Sequence, residues 1–361
     1  MRSTPVFAWA TGQLDNIGDS LLRRPYLSAL RKVGPLHVWT NRAPASFLTG
    51  LGLVEGEHSD TTFGGWYRRA WRATVRQPVV LALNAGEVPV SRRGAVRLAL
   101  LVILGAAVQA RGGRVVWMGA GVPDSDQKLL SVPYRAGARL ASAPSFRTQA
   151  TVRALGGTVQ PDWAFRLGTD VNDWVGEEER QLLSLVMRGD RAAPSESWIA
   201  WVRSGAENLG LEVHVVVQVE RDAARGEELA AALGGHVVQF ASSDHAIHEA
   251  KVRSIYRRSL ITIGDRLHGL IVAASEGSVP IGWVETSTGK IAAHFNAVGL
   301  EYVGAREGWS SSSEPLTREW VRGRERELRT RIDDARKRLI STESALAVDA
   351  VALKQNEGSR R

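Results

Sequence analysis

The chain has 361 residues, no cysteine, a formal net charge of +8 and a pI near 10.2. Without cysteine it can form neither disulfides nor thiolate metal sites, and its length suits two domains better than one. With 44% hydrophobic and 23% charged residues, it has the composition of a folded protein rather than a disordered one.

A basic surface attracts nucleic acid, anionic lipid or a small anionic substrate. Arginine greatly outnumbers lysine, and no basic stripe interleaved with aromatics or zinc-finger spacing occurs. No nucleic-acid partner is therefore expected. The N-terminal stretch MRSTPVFAWATGQLDN turns polar too early for a secretory signal, and the lack of cysteine suits a reducing compartment, so a cytoplasmic protein is expected. The longest apolar run, LALLVILGAAVQA at 98–110, is shorter than the ~20 residues of a spanning helix. A buried helix is expected there, with a membrane-surface helix as the alternative. The 12 tryptophans are scattered, which favours packing roles, with some free to line a sugar site.

In chain order, VFAWA (6–10) predicts a strand, followed by a glycine-bearing loop and a helix from about Ser20. LHVWT (36–40) and VVLAL (79–83) predict further strands. A long apolar helix at about 92–110 and the strand RVVWMGA (114–120) follow. The stretch from 120 to 165 is rich in turn residues, and 166–195 reads as a linker or an inter-domain loop with its EEER and GDRAAPS segments. The pairs His58/Asp60 and Asp124/Asp126 read as loops. Alternation then resumes: a helix ending at Gly210, the strand 212–219, the helix RGEELAAALGG, the strand HVVQF and the helix HEAKVRSIYRRS. The strand 259–264, the helix LHGLIVAASEG, the strand 279–284 and a helix from Lys290 to Leu300 complete it. Strand–helix alternation implies parallel sheets covered by helices. The expected fold is α/β, with two Rossmann-like domains facing a cleft, over 1–165 and 166–313. A charged amphipathic helix and a frayed tail are expected over 314–361, with Trp320, Val321, Leu328, Ile332 and Leu339 on the apolar side.

Three segments could carry chemistry. NIGDSLL (16–22) follows a strand and opens a helix, with Asp19 or Ser20 as the expected cap and backbone amides suited to an anion. In ITIGDRLHGL (261–270), Asp265 is the expected cap, and Arg266 and His268 fall in the first turn at the carboxyl end of a strand. An arginine fork can capture carboxylate or phosphate, and a histidine can move protons near neutral pH. Structural roles for both residues are the plainer alternative. Lys290 opens the next helix after the loop ETSTG, on the same sheet edge. A fourth constellation, DHAIHE (244–249), could be read as metal ligands, but helix capping by Asp244 explains it better. No metal and no cofactor are expected.

The ordered set NIGDSLL, WMGAGVPD (117–124), LGGTVQPDWAF (155–165), ITIGDRLHGLIVAASEGSVPIGW and Lys290 resembles the polysaccharide pyruvyl transferase family over about residues 12–303. That resemblance implies a two-domain fold similar to GT-B glycosyltransferases. Its donor would be phosphoenolpyruvate, and its acceptor a sugar or lipid-linked saccharide at the inner face of the cell membrane, with peripheral membrane association. The first domain would be the acceptor side and the second the donor side. Arg266, Leu267 and His268 would line the donor pocket, with Asn16, Gly18, Asp19 and Lys290 near it. His268 would be the acid or phosphate-stabilising group, and Asp19 a base toward the acceptor. The sequence departs from the family at Asn84–Glu87 and at Pro144-Ser145. Two other readings stay open: a GT-B-type glycosyltransferase using a nucleotide sugar, and a non-catalytic relative in cell-envelope assembly.

Overall fold

A computed structural model describes residues 4–122, 129–240, 243–283, 289–304 and 315–358. Asp124, Asp126, Val284 and most of the loop before Lys290 lie outside the described residues. The chain divides into two compact units. Unit 1 comprises residues 1–14, 19–163 and 337–361, and unit 2 comprises 15–18 and 164–336. Each is an α/β unit built on a parallel sheet, so the expected fold class holds.

Unit 1 opens with strand β1 (Val6–Trp9), helix α1 (Ile17–Arg31), β2 (Leu36–Trp39), α2 (Ala45–Leu51) and β3 (His58–Asp60). It continues with α3 (Phe63–Arg76), β4 (Val80–Ala82), β5 (Gly86–Glu87), α4 (Arg92–Ala110), β6 (Arg114–Val116) and β7 (Met118–Gly121). Helix α5 (Val132–Leu140), β8 (Ser145–Phe146), α6 (Gln149–Leu155) and β9 (Thr158–Val159) follow. The main sheet has the order β3-β2-β1-β4-β6, all parallel. A smaller sheet, β5-β7-β8-β9, takes its last two strands from the turn-rich stretch 120–165.

Several expectations need correcting here. His58 and Asp60 do not lie in a loop; they are the two ends of edge strand β3. The strand expected over 114–120 breaks at Trp117 and feeds two sheets, with Gly119 at φ +76° where an added Cβ would strike Trp163. Helix α1 starts three residues before Ser20. Asn16, rather than Asp19 or Ser20, holds its first turn, because its Oδ1 accepts from the Gly18 amide at 3.0 Å. The core packs Phe7, Trp39, Trp66 and Leu81 against Leu98, Leu101 and Leu104 of α4. Each such fully buried side chain contributes roughly 1.5–3 kcal/mol.

Unit 2 contains β10 (Leu182–Val186), α7 (Glu196–Leu209), β11 (Glu212–Val216), α8 (Ala223–Leu233), β12 (His236–Val238) and α9 (His245–Arg258). It continues with β13 (Ser259–Gly264), α10 (Leu267–Ser275), β14 (Val279–Gly282) and α11 (Lys290–Asn296). The sheet order is β12-β11-β10-β13-β14, all parallel. Its central strand β10 lies inside the segment expected to be a linker. LLSLV is buried at all five positions, so it lacks the alternation that marks a strand with one wet face. Helices α7 and α8 end at Gly210 and Gly234, both in the left-handed region that glycine adopts without penalty.

Helix α12 (Arg318–Gly358) is continuous to Gly358, where a frayed tail was expected. Val321, Leu328, Ile332 and Leu339 are buried along it, as its period implies, while Trp320 is only partly buried. It is not a separate unit: its residues through Arg336 group with unit 2, and those from Lys337 with unit 1. Arg336 anchors it in unit 2 by donating to the carbonyls of Phe165, Leu167, Thr169 and Ser275.

Candidate functional site

In an open parallel sheet, ligands bind beyond the carboxyl ends of the strands, where the strand order reverses. In unit 2 that point lies between β10 and β13. The residues just past it are Arg188, Gly189 and Arg191 after β10, and Asp265, Arg266 and His268 after β13. Gln218, Arg221 and Asp222 follow the neighbouring β11, and Lys290 follows β14. Two of the expected site segments thus occupy adjacent strand ends of one sheet.

Arg266 does not present its fork to an open space. It is 5% exposed, and Nε and Nη2 donate to Asp222 Oδ2 and Oδ1 at 2.8 and 2.5 Å. Asp222, 2% exposed, also accepts from the Gly189 amide at 2.8 Å. The pair therefore ties the loops after β10, β11 and β13 together, which is the structural alternative weighed for this arginine. A buried bidentate pair fixes geometry more surely than it adds stability.

Asp265 is not the helix cap expected of it. Its Oδ1 accepts from the Arg188 amide at 2.7 Å, and Oδ2 lies 3.4 Å from Arg191 Nη1. Burial pushes its carboxyl up, against the pull of that amide and of the nearby arginines. Arg266 itself takes the N-cap position of α10 and supplies no side-chain cap. Leu267 and His268 begin the helix. Leu267 is 8% exposed and apolar, so it serves packing.

His268 meets the segment 15–18, which belongs to unit 2. A Cβ added at Gly18 would fall 2.6 Å from His268 Nδ1 and 2.7 Å from its Cβ. Only glycine lets the backbone come so close. Asn16 Oδ1 also accepts from Gln218 Nε2 at 3.2 Å, and Gln218 Oε1 lies where a Cβ on Gly269 would meet it at 2.7 Å. Asn16, Gly18, Gln218, His268 and Gly269 thus form one packed group at the start of α10. Arg221 reaches Asp15 at 3.3 Å on the exposed rim. Arg188 forks onto Asp190 at 2.8 and 2.6 Å and holds that carboxyl down at about 2, chiefly through the hydrogen bond. Lys290 is exposed at the head of α11, whose N-cap is Gly289 at φ +61°.

Asp19 follows Gly18 directly in the chain. It belongs to unit 1, where Arg23 Nη1 donates to its Oδ1 and its carbonyl, both at 2.6 Å. Its Oδ2 accepts from the Gln13 amide at 3.2 Å. Arg23 is 1% exposed, and its Nε donates to Asn84 Oδ1 at 3.1 Å. Asn84 Nδ2 in turn donates to the Thr11 carbonyl at 3.0 Å. Both carboxylate oxygens of Asp19 thus have partners within unit 1. The Asn84–Glu87 segment, noted as a departure from the resembled family, is built into this network, and Gly86-Glu87 forms β5.

The segment DHAIHE shows no metal arrangement. Asp244 Oδ1 accepts from the amides of Ala246 and Ile247, which is capping of α9. His248 is fully buried against Phe240, and burial pulls its imidazole down to about 4. Among the described residues no group of three or more His, Asp or Glu could hold a metal ion.

Sequence reasoning missed Arg23, Arg188, Gln218 and Asp222. Gln218 fell inside the strand expected over 212–219 and Asp222 three residues past it, so the carboxyl end of that strand was a usable signal. Arg188 could not be found while β10 was read as linker.

No family model and no curated protein matches the chain. Solved structures do. A protein described as a UDP-N-acetylglucosamine 2-epimerase from Listeria monocytogenes is similar over 100% of this chain and 98% of its own, with a TM-score of 0.55 and 14% identity. A glycosyltransferase from Rickettsia africae is similar over 97% and 99%, with a TM-score of 0.50 and 10% identity. The fold is thus of the GT-B type, with two Rossmann-like units. The expectation of pyruvate transfer from phosphoenolpyruvate is overturned: the similar structures are a glycosyltransferase and a nucleotide-sugar epimerase, not pyruvyl transferases.

Proposed function

We propose that the chain is a glycosyltransferase that takes a sugar from a nucleoside-diphosphate donor held at the carboxyl edge of the unit-2 sheet. One observation carries this reading. Helix α10 starts at the strand-order reversal without a side-chain cap from Arg266, and His268 lies in its first turn. The amides and the positive end of such a helix suit a diphosphate. The group Asn16, Gly18 and Gln218 sets the position of His268, and Lys290 opens the next helix along the same edge. In the reaction the bond from the anomeric carbon to the diphosphate oxygen breaks, and an acceptor hydroxyl forms the new bond. Charge developing on the departing diphosphate is then met by the α10 amides. Arg266 acts as a positioning residue through Asp222.

Calorimetric titration with UDP-, ADP- and GDP-sugars tests the reading, with phosphoenolpyruvate as the control. Binding of one nucleotide sugar, weakened in His268→Gln, supports it. Failure of all three to bind would sink it. Interconversion of the bound sugar without any acceptor would instead place the chain with the epimerases that share the fold.

A further inference from the structure

Helix α4 is apolar nearly throughout, with no charged residue between Arg97 and Arg111. Such a helix normally lies buried on all sides. Here only Ala95, Leu98, Leu101, Leu104, Gly105 and Val108 face the core. The expectation of a buried helix thus holds for one face alone. On the opposite face Val96 is 64% exposed, Ile103 56% and Leu100 37%. By length and composition α4 is the one helix among the described residues that could cross a membrane, yet its inner stripe is packed on the unit-1 sheet.

Helix α3 extends this face. Tyr67 Oη donates to the Leu100 carbonyl at 3.2 Å, and Arg111 Nη2 donates to the Val75 carbonyl at 2.8 Å. Trp71 is 38% exposed and Val75 60%. The charges on the two helices are of one sign. Phe63–Arg76 holds four arginines and Arg92–Arg111 another four, and neither segment contains a carboxylate. A hollow of about 380 Å³ between them is lined by Phe63, Arg92, Arg93, Val96, Arg97 and Leu100.

We propose that this α3–α4 face is a docking surface for an anionic lipid bilayer. Its exposed apolar stripe would enter the boundary between headgroups and acyl chains, and the flanking arginines would meet lipid phosphates. Charge decides between occupants: a second copy of the chain would set arginine against arginine, whereas an anionic bilayer complements the arginines of the face, Arg69 apart, which pairs with Asp60. The inference does not depend on the glycosyltransferase reading.

Flotation with vesicles of phosphatidylcholine alone, and of phosphatidylcholine mixed with phosphatidylglycerol, tests it on the full chain. Association is expected with the mixed vesicles only, and it should weaken as salt rises. Arg72→Gln with Arg93→Gln should weaken it about fivefold per arginine removed. Val96→Ser with Ile103→Ser should weaken it several-fold without shifting the unfolding midpoint, because both side chains are exposed. If that variant misfolds, the arginine variant still decides. Equal association with both vesicle types, no association with either, or unchanged association in both variants would overturn the proposal. Concentration-dependent self-association lost in the same variants would also overturn it, in favour of a second copy.

Discussion

The two sheets reverse their strand order in the same way and end in different chemistry. In unit 1 the reversal lies between β1 and β4, and the loops beyond it are closed by Arg23 with Asp19, Asn84 and Thr11. In unit 2 it lies between β10 and β13, where Arg266 and Asp222 close the loops. There Arg266 makes its pair from the N-cap position of α10, with His268 in the first turn of that helix and Lys290 after the adjacent strand. The same device, a buried arginine paired with an aspartate, therefore ties loops together near the strand ends of both units. An arginine at a strand's carboxyl end is not by itself a ligand-binding group; its carboxylate partner decides.

Removing each arginine is the sharpest way to break this comparison. Arg266→Ala leaves Asp222 buried without its partner and should cost about 3–5 kcal/mol. Arg23→Ala should cost less, because the side chain of Asp19 is 16% exposed and can be hydrated. Chemical denaturation measures both, and the reverse order would show that the locks are not alike.

A change of pH acts next. His248 has an ordinary pKa of 6.5 that burial lowers to about 4 in the folded chain. The unfolded chain therefore takes up a proton first as pH falls. The stabilisation is complete above 6.5 and is lost progressively as pH falls from 6.5 toward about 4, by roughly 2–3 kcal/mol. Denaturation midpoints across that window should show this loss, and His248→Phe should flatten it. In the same unit Glu276 is also affected by burial, which pushes its pKa up, but hydrogen bonds from Thr169, Arg253 and Arg257 hold it below the usual carboxylate range. Its contribution is present above the ordinary glutamate pKa and disappears only at still lower pH.

Gly18→Ala tests the approach to His268. The added Cβ would stand 2.6 Å from Nδ1, so the histidine or the loop must shift. A cost of about 1–3 kcal/mol is expected, typical of overpacking, together with weaker donor binding by calorimetry. The smallest effect on stability belongs to Lys290→Ala. That side chain is exposed, so stability should stay within about 0.5 kcal/mol while donor affinity falls.

Much of unit 2 was legible in the sequence. Strand β13 and the helix, strand and helix after it follow from local periodicity and from glycines at helix ends. Legibility failed where a segment lacked a local signature. β10 is a short apolar run beside EEER, and β3, β8 and β9 are too short to show alternation. The site was legible in part: the βα junctions at Arg266 and Lys290 lie on one sheet edge as their spacing implied. That Asp19 would turn to Arg23 was not, although the two are one helical turn apart, because Arg23 could as well have faced solvent.

By itself the sequence determined the α/β class, the parallel alternation and the junction residues, because periodicity, capping and glycine turns act within a window of a few residues. Only the tertiary structure decided that Arg266 meets Asp222, 44 positions away in the chain. It also decided that Gly18 lies against His268 and that one face of α4 stays open to solvent. Those outcomes depend on which strands pair, in what order and in what register, and no local stretch of residues carries that information.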